Sequence, residues 1–111
     1  METKNAITAL AALAQESRLG IFRALVQAGP EGLSAGKIAT LLDVPSSSLS
    51  FHLKELAHAD LVNSRQAGRF VIYSASFDTM NRLLAYLTEN CCGGDACSPV
   101  VSCSPTMENQ S

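Results

Sequence analysis

No apolar run in this sequence approaches the roughly 20 residues a helix needs to cross a bilayer, which excludes a membrane-spanning helix. The opening residues Met1 to Leu10 mix both charge signs and lack the basic start and small-residue cleavage site of a secretion signal, so a cytoplasmic protein is expected. Charge is sparse: 16% of residues are charged against 47% hydrophobic. That balance predicts a compact fold with apolar surface left to hide, as in a homodimer. No cysteine precedes residue 91, and the only histidines are His52 and His58. A chain of 111 residues is long enough for one modest core and therefore for one domain.

The stretch from Ser34 to Asp60, SAGKIATLLDVPSSSLSFHLKELAHAD, organises the rest. Ile38, Leu41 and Leu42 fall three and four apart, as do Leu49, Leu53 and Leu56, so each segment predicts a helix with one buried face. Pro45 ends the first helix and biases Val44 away from helical geometry. Ser46, Ser47 and Ser48 then offer several N-caps for the second. This is a helix-turn-helix pattern. With the leucines inward, a helical wheel sends Ser47, Phe51, Lys54 and His58 outward and puts Ser48, Ser50 and Glu55 on the flanks. Short hydroxyls and an exposed aromatic suit a surface that approaches something closely, such as major-groove DNA. The same residues also suit a serine-rich helix start with Phe51 packed on a neighbour. His52 falls at the edge of the buried stripe.

A DNA-binding surface should be basic, whereas the formal net charge is −2. The charges are unevenly placed. Residues 1–33 carry three bases and three acids, residues 34–70 four bases and three acids, and residues 71–111 one base and four acids. The excess acid lies outside the candidate reading stretch. The small positive balance there implies modest nonspecific affinity and two copies acting together.

Before this stretch, a short alanine-rich helix is predicted from Asn5 to Ala14, with Ile7, Leu10, Ala11 and Leu13 apolar. A second is predicted from Ser17 to Ala28, burying Leu19, Phe22, Leu25 and Val26, with Gly29 and Pro30 as its stop. Arg18 and Arg23 read as ordinary solvated charges. After it, the β-prone runs Leu61-Val62 and Phe70 to Tyr73 flank Arg65-Gln66-Ala67-Gly68-Arg69, where Gly68 suits a hairpin loop. This predicts a wing whose tip carries Arg65 and Arg69, placed for phosphate or minor-groove contact or simply solubilising. A last helix opens at Ser76 and Asp78 with Met80, Leu83, Leu84 and Leu87 as its stripe. With nothing after it to cover that stripe, the first and last helices are expected to form a two-fold seam. The expected division is a 1–90 domain for DNA binding and dimerisation and a 91–111 flexible cysteine-rich tail.

The tail, CCGGDACSPVVSCSPTMENQS, holds Cys91, Cys92, Cys97 and Cys103. A disulfide scaffold is a poor explanation in a reducing compartment, whereas soft sulfur ligands favour thiophilic ions. Zinc takes four thiolates in a closed tetrahedron, which all four cysteines together would supply. Trivalent arsenic takes three in a pyramid, as Cys91, Cys92 and Cys97 would supply, with Cys103 in reserve beyond Pro99. A thiol-redox switch also remains open. A small thiol enzyme needs a cysteine activated by a helix N-terminus or basic neighbours. These cysteines follow a helix C-terminus beside Asp95, so no enzyme is expected.

From Ile7 to Asn90 the chain resembles the ArsR/SmtB family of metal(loid)-sensing repressors. The resemblance is carried by Glu16-Ser17-Arg18-Leu19 with Ile21-Phe22, by LSFHLKEL from Leu49 to Leu56, by Leu61-Val62 and by the wing from Arg65 to Tyr73. It implies a mainly α fold with a β-hairpin wing, a winged helix-turn-helix, dimerising through its first and last helices. It also implies double-stranded operator DNA under the recognition helix and wing. The DNA-facing residues would be Ser46, Ser47, Ser48, Ser50, Phe51, His52, Lys54, Arg65, Gln66 and Arg69. Two inducer sites of the family are missing from this sequence: Leu33 to Lys37 contains no thiol, and the last helix has no histidine beside Asp78 and Glu89. The cysteine cluster is similar to the alternative arsenite site of some members, a vicinal pair after the last helix with one cysteine downstream. The resemblance therefore implies a repressor of an arsenic-resistance operon induced by arsenite or antimonite, with a zinc or thiol-redox response as the alternative.

Overall fold

The computed structural model describes residues 1–90, and the four cysteines lie outside the described residues. The elements are α1 (Thr3–Leu13), α2 (Glu16–Ala28), β1 (Leu33–Ser34), α3 (Ala35–Leu42), α4 (Ser46–His58), β2 (Val62–Ala67), β3 (Phe70–Ala75) and α5 (Phe77–Leu87). The fold is mainly helical with one small antiparallel sheet, as expected. The sheet has a strand the sequence did not announce: β1 pairs with β3, which becomes the central strand in the order β1-β3-β2.

The core is built where three helices converge on the base of the wing. Ile21, Phe22 and Leu25 of α2, Ile38 of α3, and Leu49, Leu53 and Leu56 of α4 are buried together with Leu61, Val62 and Ala75. The leucine stripe of α4 thus faces inward as its spacing predicts. Elsewhere the inward face differs from the expected one. In α1 the buried residues are Ala6, Ala9 and Ala12, while Ile7 and Leu10 point outward. Three alanines in register let α1 approach closely, which bulkier side chains would prevent. Leu19 and Leu41 are likewise exposed rather than buried; Ile21 joins the expected Phe22 and Leu25 on the inward face of α2, and Ile38 is buried in α3 as its spacing predicts.

Local chemistry fixes the ends of the elements. Gln15 caps α2 by accepting from the Arg18 amide, Ser34 caps α3 through the Lys37 amide, and Ser76 caps α5 through the Thr79 amide. The turn between α3 and α4 passes through Asp43 in the left-handed region, with φ of 54°. An Asp tolerates that region better than most residues. Arg18 is not simply solvated: its Nε donates to the Ala12 carbonyl oxygen at 2.8 Å. Among the described residues no helix is long and apolar enough to cross a membrane.

Candidate nucleic-acid interface

Helix α4 presents the candidate reading surface. Ser46, Ser47, Ser48, Ser50, Phe51 and Lys54 are all exposed, while Leu49, Leu53 and Leu56 on the opposite side are buried. The serines do not cap the helix. Pro45 occupies the N-cap position with extended geometry, and the start of α4 has no side-chain cap. Proline at this boundary has φ already set near −60°, so the chain enters the helix without a hydroxyl acting as cap. The consequence is chemical: short hydroxyls and unpaired amides of the first turn stand together at the positive end of the helix dipole, an arrangement that receives phosphate oxygens.

His52 is half-buried at the edge of α4, as its wheel position indicates. Its ring meets that of Phe51 edge-on, with centroids 5.9 Å apart. Its Nδ1 is buried and has no hydrogen-bond partner. A proton on that atom would be an unsatisfied buried donor, which is rarer and costlier than an unsatisfied acceptor. The neutral ring is therefore best served by a proton on Nε2.

The wing is tighter and longer than the sequence predicts. β2 and β3 pair from Val62 opposite Ala75 to Ala67 opposite Phe70, leaving a two-residue loop of Gly68 and Arg69. Gly68 takes φ of 64°, which a hairpin loop of this length demands. Arg69 is at the tip as expected. Arg65 is not: it lies within β2 opposite Ile72, and its Nη2 donates to the Glu31 carbonyl oxygen at 3.0 Å. Gln66 Nε2 donates to the Gly68 carbonyl oxygen at 3.1 Å and so braces the loop.

The structure thus brings two groups onto exposed surface, the serine-rich face of α4 with Phe51 and Lys54, and Arg69 at the wing tip. Among the described residues no group of three or more His, Cys, Asp or Glu side chains is placed to hold a metal ion. Asp78 is paired with Arg82 at 3.2 Å instead. Cys91, Cys92, Cys97 and Cys103 fall outside the described residues.

Residues 13–65 match a family of helix-turn-helix domains, a span running from the end of α1 into β2. The chain is 32% identical over 80 residues to nodulation protein NolR of Rhizobium meliloti, a match covering 72% of this chain and 63% of NolR. It is 33% identical over 82 residues to transcriptional activator HlyU of Vibrio cholerae, covering 74% of this chain and 73% of HlyU. A shorter match joins it to the putative arsenical resistance operon repressor ArsR of Halobacterium salinarum, 40% identical over 67 residues, 60% of this chain and 51% of that protein. Among solved structures, an ArsR-like transcriptional regulator from Rhodococcus superposes with a TM-score of 0.68 at 31% identity, covering 76% of each chain. HlyU, the Halobacterium ArsR and the Rhodococcus protein are all named as regulators of transcription. Fold, helix-turn-helix match and sequence identity together establish that the chain belongs to the ArsR family of winged helix-turn-helix, DNA-binding transcriptional regulators.

Proposed function

We propose that the protein is a homodimeric repressor of an arsenic-resistance operon, which leaves its operator when trivalent arsenic binds Cys91, Cys92 and Cys97. The observation that carries the DNA-reading part is the outward face of α4, where uncapped serines and Phe51 stand free of the core. Ser46, Ser47, Ser48 and Ser50 meet phosphates and base edges, Phe51 meets a thymine methyl, and Lys54 and Arg69 meet phosphates. His52 offers Nε2–H from the edge of that face. Arg65 and Gln66, on opposite faces of the hairpin, support the wing through the Glu31 and Gly68 carbonyl oxygens.

Dimerisation follows from the apolar side chains left outside. Ile7 and Leu10 of α1 and Leu84 and Leu87 of α5 are exposed, and the two helices are joined by a hydrogen bond between the Thr3 and Tyr86 hydroxyls. A second copy covering this pair of helices would place two α4 helices against successive major grooves, about 34 Å apart.

The inducer reading rests on the donor set, three thiolates between residues 91 and 97, and on likeness to a relative named for arsenical resistance. Arsenic supplies a rigid three-sulfur junction when bound. The chain supplies that junction directly after α5, so closure shifts the seam and with it the spacing of both reading helices. A coupling of about 3 kcal/mol lowers operator affinity roughly a hundredfold. Operator binding measured with and without arsenite tests this, and equal affinity in the two conditions sinks it. The fourth thiol, Cys103, favours one alternative, a zinc-holding or thiol-redox repressor; metal analysis of the purified protein separates the two.

A further inference from the structure

The chain has four phenylalanines, and they divide by location. Phe22 is buried and Phe77 packs against the core. Phe51 and Phe70 are 55% and 60% exposed, and both stand on the elements assigned to DNA. Phe51 lies on α4. Phe70 opens β3 at the last rung of the wing, opposite only the methyl group of Ala67 and directly after the Gly68-Arg69 loop.

Alternation along the hairpin decides which way this ring faces. Val62 and Ala75 form one cross-strand pair and are buried in the core. Tyr73, two residues before Ala75, packs on the same side. Phe70, out of phase with them, lies on the opposite face with Arg65 and Ile72. No core side chain reaches it there. An aromatic ring left in water forgoes most of the stabilisation that burial would give it. The tip that carries it is held in shape by the Gln66 to Gly68 hydrogen bond and the two-residue loop, so the backbone presents the ring at a defined place on the wing.

We propose that Phe70 is a minor-groove wedge. The wing tip enters the groove with Arg69 at its phosphates and the Phe70 ring against the sugars and partly between two base pairs, which bends the duplex. Apolar side chains inserted this way unstack a step and kink DNA by about 20–90°. The neighbouring guanidinium points to a polyanion as the surface that receives the ring. The sparse charge of residues 34–70, four bases against three acids, makes a contact that does not depend on salt valuable. Specificity would then include flexible pyrimidine–purine steps under the wing, read through their ease of deformation. This inference rests on the DNA-binding reading and adds to it a residue, a groove and a mode of recognition.

The test uses the full chain and a duplex selected by the wild type from random-sequence DNA, with affinity measured across a range of salt and bending measured by end-to-end energy transfer. Phe70→Ala should weaken binding about tenfold at every salt concentration, keep the slope of log affinity against log salt, and straighten the DNA. Phe70→Leu, still an apolar wedge, should keep most of the bend. Arg69→Ala removes one arginine from each wing of the dimer and should instead reduce the slope by about 1.8, about 0.9 for each wing. Wild-type affinity and bend in Phe70→Ala, a loss confined to low salt, or an unbent wild-type complex each overturn the wedge alone. Failure of the wild type to select any duplex overturns the DNA-binding reading as well.

Discussion

Arg18 Nε donates to the carbonyl oxygen of Ala12 at 2.8 Å, tying the end of α1 to the first turn of α2. The acceptor belongs to the last turn of a helix, where carbonyls have no intrahelical partner. The donor is charged and half-buried, so the bond is stronger than an exposed one. Arg18→Ala should lower stability by about 1.5–3 kcal/mol, read as a reduced urea midpoint at fixed protein concentration. Wild-type stability in that variant would show that the bond contributes nothing to holding α1.

Gly32 sits where β1 begins its pairing with β3. It adopts φ of 76°, and a Cβ there would lie 2.2 Å from the Tyr73 carbonyl oxygen. Backbone cannot yield as a side-chain tip can, so Gly32→Ala should cost more than about 2 kcal/mol and loosen the pairing of Leu33 with Tyr73. Gly20, inside α2 with nothing within 4 Å of a built Cβ, is the contrast. Gly20→Ala should stabilise by about 0.5–1 kcal/mol. Thermal unfolding of the two variants checks both signs.

These two sites also mark what the sequence leaves unreadable. The α4 stripe was legible because Leu49, Leu53 and Leu56 have one period and no competing apolar face. Ile7, Leu10, Leu19 and Leu41 have the same character as core residues, and periodicity alone does not say which of two apolar sides turns inward; close approach at Ala6, Ala9 and Ala12 settles it in α1. The strand β1, only Leu33 and Ser34, is too short to show a period. Asn63 to Gln66 have weak strand preference, yet pairing along all of β3 extends β2 to Ala67 and moves Arg65 off the tip. The serines read as caps because the residue type fits; Pro45 took the position instead. His52 at the stripe's edge and Arg69 at the tip fell where their positions in the sequence indicated.

Because Ser47 and Ser48 do not cap α4, their removal should separate stability from function. The double variant Ser47→Ala with Ser48→Ala should unfold within about 0.5 kcal/mol of wild type, whereas loss of a serine cap would cost about 1 kcal/mol. Operator affinity should fall about tenfold through the missing phosphate and base contacts. Chemical denaturation and a binding titration on the same preparation decide it, and a loss of stability matching the loss of affinity would restore the capping role.

The exposed side chains of the two terminal helices predict the seam. Ile7 and Leu87 are 60% and 54% exposed, so replacing both with glutamate removes nothing from the monomer core. Ile7→Glu with Leu87→Glu should sediment as a monomer with unchanged helical circular dichroism. Its operator affinity should fall by about a hundredfold or more, since two half-sites no longer bind as one. A dimer that survives both charges would move the seam to another face.

The cysteines separate the proposed inducer from its alternative by count. A three-sulfur site on Cys91, Cys92 and Cys97 predicts that Cys91→Ser or Cys92→Ser binds operator like the wild type and is no longer released by arsenite. Cys103→Ser should be released normally. A four-thiolate zinc site predicts the opposite for Cys103, because removing one ligand of a closed tetrahedron opens it and weakens the metal strongly. Measuring arsenite-driven release and zinc content on all four single variants therefore reads the stoichiometry directly. Normal release from Cys92→Ser would place the trigger outside the vicinal pair, and a Cys103→Ser protein that lost both zinc and regulation would make zinc the resident ion.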